Sequence, residues 1–199
     1  MKKILLTGFE PFHKASSNPT QEIVKALESE KISGLSTGVL PVVFGESFQK
    51  LKVLIDSNNP DYVIALGQAE GRSEITPERI AINLDDARIA DNAGNQPQSQ
   101  KIKLDGPDGL FTTLPIDEFV NQLKKANIPT AISLSAGTYV CNHIFYLLQH
   151  SLIGANVKSG FVHVPLMESQ ASEFPGLPTM PLDQMVKAIK ILIDVVKAI

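Results

Sequence analysis

The feature that most constrains this chain is an alternation. Short apolar runs that stop near a Gly or Pro are followed, again and again, by segments with helical spacing. "KKILLTG" (2–8), "STGVLPVVF" (36–44), "DYVIALG" (61–67), "PTAISLS" (129–135) and "GFVHVP" (160–165) read as strands. Residues 18–29, 46–57, 116–127, 139–152 and 181–199 read as helices. Strands and helices in alternation bury their apolar faces best as a parallel sheet covered on both sides. The expected fold is therefore α/β: one domain over 1–199, built as an α/β/α sandwich with a mostly parallel or mixed central sheet.

Local signals refine this reading. Asn18 is suited to cap the first helix, with Pro19 at its first position and Glu22 as a capping-box acid. Phe48, Leu51, Leu54 and Ile55 share one helical face; so do Cys141, Phe145, Leu148 and Leu152, and Met185, Ile189, Leu192 and Val196. Pro41 argues against the middle of 36–44 lying inside a sheet. From about Arg79 a strand alternates, with Ile80, Ile82 and Leu84 on one face and Ala81 and Asn83 on the other. Residues 88–114 differ: "DNAGNQP" and "DGPDG" mark turns in a long excursion with a short hairpin. Ordered excursions of that length are commonly functional.

Composition removes several function classes. The 199 residues, 43% of them hydrophobic, suffice for one core, and a net charge of −3 gives no basic face for nucleic acid. The single cysteine cannot close an intrachain disulfide, which points to a reducing, cytoplasmic setting. The apolar stretch Ile4 to Leu6 is too short for a signal-peptide core, and no uncharged run reaches membrane-spanning length. No His or Cys spacing suits a metal, "TGFEPF" lacks a Gly-rich nucleotide fingerprint, and "DGPDG" is not followed by calcium-loop spacing. Neither a metal nor a cofactor is expected.

In open α/β sheets, sites form beyond the carboxyl ends of the strands. Gly8, Gly67, Gly137 and Pro165 stand at such ends. Cys141 follows the strand 129–135 and opens a helix, where unpaired N–H groups favour a thiolate and could hold an oxyanion. Position alone leaves two readings open: a nucleophile, or a small buried residue under a helix. His163, at the end of an apolar strand and facing opposite to Val162 and Val164, is a candidate base or a satisfied core histidine. His143 and His150 lie elsewhere on the Cys141 helix, and His13 is in the first loop. Glu70, Glu74, Glu78, Asp85 and Asp86 are carboxylates that could orient a base; spacing does not choose among them.

Five motifs taken together say more. "LLTGFEPF" with "NP" (5–19), "GQAEGR" through "ITPERIAIN" (67–83), "ARIADNAGNQP" (87–97), "SAGTYVCNHIFY" (135–146) and "GFVHVP" (160–165) occur in the order found in the pyroglutamyl peptidase I family, which the chain resembles over essentially its whole length. The resemblance implies an α/β/α cysteine peptidase that removes N-terminal pyroglutamate from peptides, needs no metal, and forms homotetramers in the cytoplasm. It implies a triad of Cys141, His163 and Glu78, with Arg88 stabilising the oxyanion. It also implies that Phe9 and Phe12 enclose the pyroglutamyl ring and that Asn18 and Gln68 are polar neighbours of that ring. One departure stands out: His13 and Lys14 occupy positions where the family often has two glycines. Two rival readings remain at this stage. A nucleoside phosphorylase on a related sandwich would need no cysteine, and a binding domain for modified peptide ends would show no turnover.

Overall fold

The computed structural model describes residues 1–13 and 15–199. Strands β1 (Ile4–Phe9), β2 (Leu35–Leu40), β3 (Tyr62–Gln68), β4 (Thr76–Pro77) and β7 (Lys158–Val164) form one sheet in the order β2-β1-β3-β7-β4. The first four are parallel, and β4 runs antiparallel to β7. β5 (Ile80–Ile82) and β6 (Gly109–Phe111) pair antiparallel as a hairpin-like ribbon, and β8 (Leu166–Met167) pairs with β9 (Thr179–Met180). The helices are α1 (Pro19–Ser29), α2 (Glu46–Asn58), α3 (Ile116–Lys125), α4 (Val140–Ser151) and α5 (Leu182–Ala198).

Strand parity divides the interior in two. Ile4 and Leu6 of β1, Tyr62, Ile64 and Leu66 of β3, and Val162 and Val164 of β7 pack with α1, α3 and α5. Leu5 and Phe9, Val63 and Ala65, and Phe161 face the other way, toward α2 and α4. Side chains two apart share a face, so Phe9, Gly67 and His163 emerge on the α4 side at the carboxyl ends of three adjacent strands. Gly8 points to the opposite layer, where a Cβ would collide with the Thr20 backbone of α1. A glycine is required there because helix and strand touch.

Most expected elements form. Asn18 caps α1, its Oδ1 accepting from Thr20 N–H at 3.0 Å. Met185, Ile189, Leu192 and Val196 of α5 are fully buried. Glu22 does not complete a capping box; it pairs with Lys25 at 2.8 Å, one turn along the exposed face. β2 stops at Leu40, immediately before the proline that cannot donate to a ladder. The strand expected over 129–135 reduces to isolated bridges, Thr130 to Ile75 and Ser133 to Glu78. It lies at the sheet edge, and Leu134 and Ser135 are exposed, so no further strand demands regular pairing. In β5 and beyond, the alternation is real, but Ala81, Asn83 and Asp85 are the buried set. Asn83 is held there by hydrogen bonds to the Lys103 and Gly106 carbonyls.

Two substitutions test this layering. Leu192→Ala, in the middle of a closed layer, is expected to cost about 2–5 kcal/mol. Val53→Ser, on the exposed face of α2, should change stability by under about 0.5 kcal/mol. Urea unfolding of the two variants beside the parent chain measures both.

Candidate active site

β3 and β7 pair so that Gly67 lies opposite His163, and β4 places Thr76 opposite His163 from the other side. The histidine is therefore clamped between two strands. One step past β4, the backbone N–H of Glu78 donates to the Phe161 carbonyl at 2.9 Å. This register brings the Glu78 carboxylate to His163, with 2.7 Å between Oε1 and Nδ1. Both side chains are buried, Glu78 completely.

Cys141 enters from the other direction. The turn 135–139, with Gly137 at φ +79°, leads into α4, and Cys141 is its second residue. The N-cap residue Tyr139 supplies no side-chain cap. The first N–H groups of the helix, at Val140, Cys141 and Asn142, are thus free of intrahelical partners. Gly67 makes room for the sulfur: a Cβ there would stand 2.7 Å from the Phe161 ring and 3.0 Å from Cys141 Sγ. Cys141 and His163 line one cavity of about 690 Å³ together with Phe9, Phe12, Gln68 and Tyr139.

The electrostatics assign proton positions. Burial works to raise the Glu78 carboxyl, but the hydrogen bond and charge of His163, with help from Ser133 and Arg72, bring it below the usual carboxylate range. An ionised Glu78 only accepts, so His163 Nδ1 carries the proton and Nε2 keeps its lone pair. Burial pulls the His163 imidazole below its ordinary value against the opposing pull of Glu78, and Arg72 lowers it further. Burial pushes the Cys141 thiol up to about 12, Glu78 adding to the rise and Arg72 opposing it. Burial thus disfavours the charged form of both the thiol and the imidazole.

The remaining sequence candidates have definite places. Phe9 is buried with its ring 6.5 Å from that of Phe161, and the Phe12 ring lies 5.2 Å from Tyr139. Asn18 lines the cavity while its side chain serves the protein: Oδ1 accepts from Thr20, and Nδ2 donates to the Glu10 carbonyl at 3.1 Å. Gln68 Oε1 accepts from Gln170 Nε2 at 3.0 Å, leaving its own amide N–H groups as donors at the cavity wall. Arg88 lies at the exposed rim, its carbonyl held by Gln96 at 3.1 Å. His13 also lines the cavity and adopts φ 56°, whereas Lys14 lies outside the described residues. His143 is a satisfied core histidine, 2.7 Å from Asp85 through Nδ1 and accepting from Gly45 N–H at Nε2. Among the described residues, no group of three or more His, Cys, Asp or Glu side chains gathers as for a metal ion.

Two contributors escaped the sequence reading. Arg72 bonds Glu78 directly, and its only sequence signal was its place in "GQAEGR". Asp91 organises the turn 91–95 by accepting from the N–H groups of Ala93 and Asn95 and also from Phe44 N–H at 2.8 Å. Asn92 then donates to Glu10 and to the Pro11 carbonyl, tying the long excursion to the first loop. The Asp-x-x-x-Asn spacing of a self-bonding turn was the available cue.

Comparison with known proteins gives a consistent result. The family model described as pyroglutamyl peptidase matches residues 2–198. Pyrrolidone-carboxylate peptidase 1 of Ralstonia nicotianae is 46% identical over 198 residues, covering 98% of this chain and 92% of that one. The Vibrio campbellii pyrrolidone-carboxylate peptidase is 48% identical over 198 residues, covering 98% and 93%. Among solved structures, pyroglutamyl peptidase I from Bacillus amyloliquefaciens superposes with a TM-score of 0.91 at 42% identity, over 96% of this chain and 95% of that one. A mutant pyrrolidone carboxyl peptidase from Pyrococcus furiosus superposes with a TM-score of 0.91 at 40% identity, over 97% of each chain.

Gly67→Ala tests the crowding at the thiol. Overpacking against the buried Phe161 ring is expected to cost about 1–3 kcal/mol. Displacing the sulfur by even about 1 Å should lower turnover about 100-fold. Melting temperature and kcat, measured on the same preparation, separate the two effects.

Proposed function

The chain belongs to the pyroglutamyl peptidase family of cysteine peptidases, and on that premise we propose that Cys141, His163 and Glu78 release N-terminal pyroglutamate from peptides as nucleophile, base and orienting carboxylate. The observation that carries this reading is the buried Glu78–His163 contact of 2.7 Å opening on the same cavity as the only thiol in the chain. One peptidase domain spanning 1–199 accounts for all of these residues.

The steps follow from the protonation states. Burial disfavours both charged forms, so the thiol proton passes to His163 Nε2 as sulfur attacks the carbonyl that joins pyroglutamate to the next residue. Glu78 stabilises the imidazolium that forms. The tetrahedral oxyanion is held by the free N–H groups at the start of α4, with Arg88 closing from the rim. His163 then protonates the departing amine, and water, activated by the same imidazole, hydrolyses the thioester. Pyroglutamate is a small, flat, neutral lactam. Phe9 and Phe12 enclose its ring, while Gln68 and the Asn18 loop serve its polar edge. The cavity of about 690 Å³ leaves space for the residues that follow.

The resemblance further suggests a cytoplasmic homotetramer. The single cysteine suits a reducing compartment. Among the described residues, no helix is long and apolar enough to cross a membrane. Exposed Phe111, Leu134 and Ile153 offer apolar surface for association of copies.

Release of a fluorophore from a pyroglutamyl amide, with reductant and EDTA present, tests the assignment. Turnover by the parent chain and none by Cys141→Ser is the expected result. Turnover that survives Cys141→Ser would overturn it. Glu78→Gln should lower kcat by at least about 100-fold, since the corresponding loss in a serine triad reaches about 10,000-fold. The base must be neutral to act, and burial lowers its pKa. The acid limb of kcat/KM is therefore expected below the ordinary imidazole value of about 6.5. A limb at or above that value would contradict the role given to burial.

A further inference from the structure

Arg72 stands in the loop after β3, and its guanidinium is shared among three partners. Nη1 donates to Glu78 Oε1 at 2.7 Å and to Thr76 Oγ1 at 2.6 Å, and Nη2 donates to the Ser135 carbonyl at 3.0 Å. Glu78 Oε1 is the same oxygen that meets His163 Nδ1. Ser135 opens the turn that delivers Cys141 to the start of α4. The segment before that turn bonds the 75–79 stretch through four backbone hydrogen bonds, the last at Ser133, and the Ser135 carbonyl beyond them is held by the side chains of Ser133 and Arg72. One planar cation thus grips both the carboxylate that orients the base and the turn that carries the nucleophile.

We propose that Arg72 is a positioning residue, which fixes the Glu78–His163 pair relative to Cys141 through its fork between Glu78 and the Ser135 carbonyl. This rests on the triad reading above. The fork is geometric: a lysine ammonium supplies the charge but not two rigid edges aimed at separate acceptors.

The charge has its own consequence. His163 is faced by Glu78 from the segment after β4, by Arg72 from the loop after β3 and by Cys141 from α4; Glu70, Asp86, Arg88, His13 and Glu173 stand around the cavity. Arg72 disfavours a second positive charge on His163 and favours the ionised forms of Glu78 and Cys141. Removing it should therefore move the pH dependence of base and nucleophile upward together. Burial alone would not respond to loss of this cation.

The test compares Arg72→Met and Arg72→Lys with the parent chain in two assays. In pyroglutamyl amide turnover, Arg72→Met is expected to lose about 100-fold in kcat with KM nearly unchanged, and its acid limb in kcat/KM should move to higher pH. Arg72→Lys should keep the limb of the parent chain while recovering only part of kcat. A limb that stays in place in Arg72→Met, a kcat within about twofold of the parent, or a loss carried by KM alone would overturn the proposal. If melting curves show Arg72→Met to be unfolded, Arg72→Lys decides: reduced kcat at an unmoved limb supports the fork, and full kcat overturns it.

The second assay is alkylation of Cys141 by iodoacetamide as a function of pH, which needs no substrate and reads the only thiol in the chain. Its profile should move upward in the variant that lacks the cation, Arg72→Met where that variant folds. A parent chain inert toward pyroglutamyl amides but showing this movement would fail the peptidase assignment and leave the role of Arg72 standing. An unmoved alkylation profile would overturn that role even in an active peptidase.

Discussion

His163 is held by the sheet before it is held by anything else. Its backbone pairs with Gly67 on one side and Thr76 on the other, so its position is set by parallel register on β3 and antiparallel register on β4. A slip of β7 by one residue against β3 would turn the imidazole into the α1–α3–α5 layer, since side-chain direction reverses with each residue. Glu78 follows from the same pairing, because its N–H bonds the Phe161 carbonyl two residues before the histidine. The deeply buried carboxylate–imidazole contact is thus a product of strand registration, and Cys141 is the part brought in from outside the sheet.

That difference explains what could be read from the chain alone. Alternating elements revealed the sandwich because period-2 and period-3.6 patterns are local. Parity revealed that His163 opposes Val162 and Val164. Glu78 stood out only weakly from Glu70, Glu74, Asp85 and Asp86, by the arginine after it and the apolar strand that starts there, because its approach to His163 depends on β4 turning back antiparallel against β7. Only the resemblance made that selection from sequence. Arg72 was harder still, since a charged residue in a loop reads as solvated surface until its three acceptors are seen together. The strand expected at 129–135 shows the opposite error. Its apolar pattern was real, but at an exposed edge the backbone bonds only to Ile75, the Pro77 carbonyl and the Arg79 N–H.

The long excursion after β5 is a scaffold held together by polar side chains. Asp91 and Asn92 bind the 42–44 segment and the first loop, and Tyr139 Oη reaches the Ala90 carbonyl at 3.1 Å. These bonds connect three walls of one cavity without a strand or helix among them. Of its polar side chains only Asp91 at the centre is buried, so the network is firmest where it meets Phe44. Desolvation is the other half of the design. Burial disfavours the charged forms of Cys141 and His163, and in the proposed reaction the same exclusion of water strengthens the fixed groups around the charges that form.

The two-layered interior has a consequence for how such a protein can change over generations. Phe9, Gly67, His163 and Cys141 all belong to the α2–α4 side, while α1, α3 and α5 pack on the reverse of the sheet. Substitutions in well-separated parts of a fold combine almost independently. Volume-conserving exchanges in the reverse layer can therefore accumulate with little effect on Cys141 and His163, whereas large-to-small changes such as Leu192→Ala keep their full cost in stability.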